Sequence, residues 1–136
     1  MPAYLKYGDI RGDVKEPAHK SWIELESVQW QTHQTHSNRP TPREPAKTNI
    51  DQIVVTKLHD SASVLLYKEA LSGKEVEAFI DLVGSDGSVY LRVEMKGTLI
   101  SAYNVSAGGA NPMESLTLNF NEVKFTHTPG TPPPKY

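Results

Sequence analysis

With 136 residues, 38% of them hydrophobic and 22% charged, the chain has the length for one domain with a sizeable buried core. Its formal charge of -2 lacks the basic excess of a dedicated nucleic-acid binder. It contains no cysteine, which excludes a disulfide framework, thiolate catalysis and Cys-ligated zinc or iron–sulfur centres.

The first segment, AYLKY, reads as a strand with Leu5 on one side and Tyr4 and Lys6 on the other. Residues 8–13 are turn chemistry, and Arg11-Gly12-Asp13 reads as a Gly-Asp turn rather than a displayed recognition tripeptide. No apolar run at the N-terminus resembles a signal peptide, and no stretch approaches the roughly 18 apolar residues of a membrane span. The expectation is a protein made in the cytoplasm without membrane insertion, leaving the cell only by a route that reads no signal peptide.

Residues 22–30, WIELESVQW, form the second predicted strand. Ile23 and Leu25 share a face, and Val28 and Trp30 join it only if the phase shifts, which predicts a β-bulge near Glu26-Ser27. Glu24 and Glu26 then lie about 7 Å apart on one face. A glycosidase can use such a pair, but two charges on a solvated strand explain it more simply. Residues 31–49 have no apolar pattern, carry three prolines and read as an exposed interaction loop. His33 and His36 lack the nearby Asp or Cys spacing of a metal site.

Residues 50–58 form the third strand, with Ile53 and Val55 opposite Val54. The spacing then predicts the chain's single helix, over about 61–72. Asp60 and Ser61 are placed to cap it, Ala62, Leu65, Leu66, Glu69 and Ala70 form its packed side, and Gly73 ends it. Residues 75–83 and 89–96 alternate cleanly around the turn at 84–88, with acids facing bases on the outer side. Residues 98–105 form another strand, and the Gly-rich loop after it lacks the Lys-Ser/Thr of a phosphate loop. Residues 113–126 form the last long strand, with a second bulge near Asn121-Glu122. Pro-rich residues 129–136 read as an extended tail on a single domain spanning 1–128.

The fold expected is therefore all-β, a compact β-barrel or two-sheet sandwich with one α-helix. No nucleophile elbow, zinc-protease helix, dinucleotide fingerprint or calcium loop is present, so the sequence asks for no enzyme activity, metal or cofactor. His59 beside Asp60 reads as part of a capping turn rather than as a general base with its orienting acid.

Read together, four segments resemble the Hcp (haemolysin-coregulated protein) family, the tube protein of the bacterial type VI secretion system. They are YLKYGDIRGD at the start, and His19-Lys20-Ser21-Trp22-Ile23-Glu24-Leu25 followed by Trp30. Next come Thr56-Lys57 with Asp60, Ser61, Ser63 and Leu65. The last is Glu114 through Phe120, continuing to Val123, Phe125-Thr126 and Pro129. The resemblance implies hexameric rings that stack into a tube, carry effectors in the lumen, and work with spike and sheath proteins. It implies secretion through that system after assembly in the cytoplasm. By the same resemblance, Gln29 and Ser27 are candidate lumen residues. The loop candidates for ring stacking are His33, Gln34, His36, Asn38, Arg39, Arg43, Glu44 and Lys47. The alternative is a monomeric β-domain binding carbohydrate or peptide through residues 31–49, with Trp22 and Trp30 as its aromatics.

Overall fold

The computed structural model describes residues 2–35, 47–108 and 111–128, the side chains of 31–35 and 47–51 excepted. The strands are β1 (Ala3–Tyr7), β2 (Ile23–Leu25), β3 (Ser27–Thr35), β4 (Lys47–Leu58), β5 (Val76–Val83), β6 (Val89–Ser106), β7 (Met113–Asn119) and β8 (Glu122–His127). A short 3-10 turn, Pro17–His19, precedes β2, and the helix α1 (Ser63–Ser72) lies between β4 and β5. All pairings are antiparallel, in the order β2-β1-β5-β6-β7-β4-β3, with β8 pairing β6.

The mainly β architecture with one helix is as expected, but the ladder does not close into a barrel. Its path begins at β2 and ends at β3, and these two outer strands are joined end to end by one residue, Glu26. The Glu26 N–H donates to the Thr56 carbonyl at 2.7 Å, so the chain crosses from one edge of the folded-over sheet to the other. The phase change at Glu26-Ser27 is therefore this crossing between two different partner strands, and not the β-bulge expected there. A further register shift, between Trp30 and Thr32, was not anticipated.

The longest strand joins the two halves. The first part of β6 pairs with β5 and β8, and its second part with β7. The sequence reading split it at Gly97, but Gly97 bends the strand without ending it. It adopts φ 63°, and a Cβ there would overlap the Asn121 side chain, so glycine is required both for conformation and for space. Conversely, residues 113–126 are two strands. They run in one direction along β6 and keep one register across the break, with Asn119 opposite Leu99 and Glu122 opposite Lys96. The bulge expected near Asn121-Glu122 is thus a break without a register shift, at which the chain leaves β4 and continues along the first half of β6.

Inward-facing Leu5, Ile23, Ile80, Val93 and Met95 from one half meet Ile53, Val55, Ile100, Leu116 and Leu118 from the other in one buried cluster. Helix α1 closes it with Ala62 and Leu66, both 0% exposed. Leu65, expected on the packed side, is 45% exposed, because the contact stripe runs through 62, 66 and 70 and Leu65 stands a quarter-turn away. The helix also starts later than expected, with Ala62 at the N-cap position. Asp60 still serves the expected purpose by accepting from the Ala62 amide at 3.0 Å, but Ser61 turns away to Asp13. Gly73, at φ 66°, ends the helix and donates to the Glu69 carbonyl.

Residues 31–35 and 47–49, expected to be loop, extend β3 and β4 as a hairpin with His33 opposite Asn49 and Gln34 opposite Thr48. Backbone pairing leaves no apolar imprint on a polar sequence, which is why alternation missed it. Residues 36–46 and the tail 129–136 lie outside the described residues.

Candidate functional site: an uncharged sheet face

Strand alternation sends Val28, Trp30, Ile53, Val55, Leu116 and Leu118 inward, so their neighbours form the outer face of the β3-β4-β7-β6 half. Across it, Ser27 pairs with Thr56 and Gln29 with Val54; Thr56 pairs with Ser115 and Val54 with Thr117. On the next strand, Asn104 faces Ser115 and Ala102 faces Thr117. Among the described residues of these pairs there is no ionisable side chain. Of the two lumen candidates, Gln29 is exposed. Ser27 is half-buried, its hydroxyl 2.5 Å from that of Thr56. The sequence reading names none of Thr56, Ser115, Thr117 and Asn104 on this face, because each strand contributes only one or two of its residues and the pairing that gathers them is non-local.

The outer face of the other half is laced with charge. Asp81 is on the outer side of β5, as expected, but 0% exposed. Arg92 grips it with Nε and Nη2 at 2.7 and 2.8 Å, and His19 Nε2 lies 2.7 Å from the same carboxylate. His19 Nδ1 meets Glu16, and the rings of Tyr4 and Trp22 pack against the imidazole at 4.8 and 4.7 Å. The bond to Asp81 raises the Arg92 guanidinium's affinity for its proton, and the bond from His19 holds the Glu16 carboxyl below its usual range. Glu94 faces Lys124 and Lys96 faces Glu122 across the β6–β8 ladder.

A third group is buried at the start of α1. Lys57 Nζ donates to Glu114 Oε1 (2.8 Å), Ser63 Oγ (2.9 Å) and the Leu58 carbonyl (2.9 Å), and lies 2.9 Å from Asp60 Oδ1. Ser63 Oγ donates to Glu114 at 2.8 Å. Burial pushes the Glu114 carboxyl up, but hydrogen bonds from Lys57, Tyr103, Ser63 and His59 outweigh it and hold the group below its usual range. The Tyr103 hydroxyl is shifted upward by burial and by Glu114. A Ser–Lys pair at this distance can activate a nucleophile. Here Ser63 is 2% exposed and Lys57 0%, so no substrate reaches them and the cluster clamps α1 to β4 and β7. His59 Nδ1 faces Glu114 at 3.1 Å, so the base-and-acid pairing with Asp60 considered above is not how its ring is engaged.

Glu24 and Glu26 are exposed on either side of the β2 end. Of the ring-stacking candidates, His33 and Gln34 lie on β3 and Lys47 begins β4, while His36, Asn38, Arg39, Arg43 and Glu44 lie outside the described residues. Among the described residues no three His, Asp or Glu side chains converge as metal ligands.

Residues 4–127 match the model of the family described as type VI secretion system effector, Hcp. Protein hcp1 of Pseudomonas aeruginosa is 27% identical over 135 residues, covering 93% of this chain and 82% of that protein. The solved Hcp1 of Escherichia coli EAEC 042 is 20% identical and superposes with a TM-score of 0.81, covering 94% of this chain and 92% of the other. A chain of the PVC sheath–tube complex, an extracellular contractile injection system in its extended state, is 12% identical with a TM-score of 0.58 over 93% and 88% of the two chains. With the family pattern running from β1 to β8, the chain belongs to the Hcp family of type VI secretion system proteins.

Proposed function

We propose that the protein is the tube subunit of a type VI secretion system, assembling as hexameric rings that stack and carry effectors in their lumen. The observation that carries this reading is the family match across residues 4–127, which runs from within β1 to the end of β8. Head-to-tail contacts between different patches close a ring when the rotation permits, and ring-on-ring contacts extend it into a filament. The outer strands β2, β3 and β8 offer unpaired edge groups for such contacts.

In this arrangement the uncharged face, with Gln29 and Ser27, lines the channel. A polar wall without ion pairs holds protein cargo by hydrogen bonds that exchange with water, so cargo is retained and still released. The charged face, with Arg92, Glu94 and Lys124, turns outward. The β3–β4 hairpin carries the stacking candidates, from His33 to Lys47, towards the next ring. The protein assembles in the cytoplasm and leaves with the spike when the sheath contracts. The carbohydrate-binding alternative loses one of its aromatics, because Trp30 packs on Phe125 at 5.4 Å and against the core.

The absence of native cysteine makes single-cysteine labelling a clean test. In the assembled protein, Gln29→Cys reacts with a small maleimide but is shielded from a bulky polymer maleimide, whereas Lys124→Cys reacts with both. Equal reaction of both positions with the bulky reagent contradicts the lumen assignment.

A further inference from the structure

We propose that the groove along the β1–β2 connection is a docking site for an extended acidic segment of a partner protein. The groove consists of two adjoining clefts of about 550 and 480 Å³. Asp13 and Lys15 wall the first, Lys6, Arg11 and Trp22 the second, and Lys20 with Ser21 belongs to both. The site is complete within one chain and goes beyond the tube reading, because its chemistry does not depend on a ring.

Charge is the first argument. In a chain of net charge -2, four cations, Lys6, Arg11, Lys15 and Lys20, gather on this groove. All four are exposed, and among the described residues none has an ion-pair partner. The carboxylate of Asp13 is already occupied by the Ser61 amide and hydroxyl, which hold it below its usual range.

The second argument is a preformed floor. Ser21 adopts φ 69°, the only positive φ outside glycine among the described residues. It is held there by two backbone bonds, from Gly12 N–H to its carbonyl at 2.7 Å and from its own N–H to the Val14 carbonyl at 2.8 Å. Gly12 lies so close to the Trp22 carbonyl that a Cβ would overlap it. Backbone held in a sparsely populated conformation concentrates at binding sites, and a rigid floor lowers the ordering cost of docking. The Ser21 hydroxyl has no protein partner among the described residues, leaving a donor on the groove floor.

A peptide bearing spaced carboxylates suits this surface. The Arg11 fork takes one carboxylate in two bonds, Lys6, Lys15 and Lys20 attract others, and the half-buried Trp22 ring covers methylene groups between them. Asp9 and Asp13 on the same groove repel a continuous run of phosphates, which argues against a nucleic-acid ligand.

The test measures anisotropy of a dye-labelled hexaglutamate peptide titrated with the full chain at low ionic strength. Saturable binding is expected, weakened about tenfold or more by Arg11→Glu with Lys20→Glu. It should be unchanged by Lys124→Glu, a charge reversal on β8 that serves as the control. Arg11→Gln with Lys20→Gln, which disturbs the surface less, should weaken binding by a smaller factor in the same direction, with thermal melts confirming that each variant folds. Absence of saturable binding overturns the proposal. So does an equal loss with Lys124→Glu, or an oligothymidine probe that binds more tightly than hexaglutamate.

Discussion

Lys57 and Glu114 stand opposite each other on β4 and β7, with Nζ and Oε1 2.8 Å apart and both side chains closed to solvent. Ser63 of the helix completes the contact from above. The pair therefore fixes three elements at one point, the place where the chain leaves the sheet for its helix.

Removing one partner of a buried pair leaves the other charge uncompensated. Lys57→Met is expected to cost about 3–5 kcal/mol, and Lys57→Met with Glu114→Leu much less than the sum of the two single losses. Urea unfolding of the four proteins measures the coupling; additive losses would show that the pair does not act as a unit.

The same site sets an acid limit. Glu114 has a folded-state pKa below its unfolded value, so its contribution is fully present above the unfolded pKa and disappears as pH falls through the folded one. Wild type is expected to lose stability more steeply than Glu114→Gln from about pH 5 downward, since an unfolded glutamate titrates near about 4.3. Asp13 and Glu16 shift the same way but are solvent-screened and add little. Parallel pH profiles for the two proteins would remove Glu114 from the explanation.

Two glycines with nearly equal φ should respond differently to alanine. A Cβ added at Gly73 would meet nothing within 4 Å, so Gly73→Ala costs only the left-handed backbone, about 1–2 kcal/mol. Gly97→Ala adds a collision with Asn121 and should cost about 2–4 kcal/mol. Adding Asn121→Gly to Gly97→Ala should recover part of that loss. Equal melting shifts for the two single variants would mean that space at the β6 bend is not limiting.

Much of this architecture is legible locally. The alternation around the 84–88 turn places the β5–β6 hairpin, with Asp81 opposite Arg92 as charge pairing suggests. Gly73 marks the helix end because its conformation is a property of one residue. What escapes the sequence is non-local. Lys57 reads as an ordinary cation in TKLHD, since the carboxylate that buries it lies 57 positions away. Gly97 looks like a stop until Asn121 is seen against it. The uncharged face is assembled from four strands, and no one of them announces it; Ser27 and Gln29 were visible only with the phase shift at Glu26 correctly placed.

Multi-angle light scattering on a sizing column, with electron imaging of the same peak, tests the tube reading most directly. The expected result is a particle of about six times the 15.1 kDa chain mass, with six-fold symmetry and a central opening. A species that stays monomeric, without annular particles, up to the highest soluble concentration would contradict it.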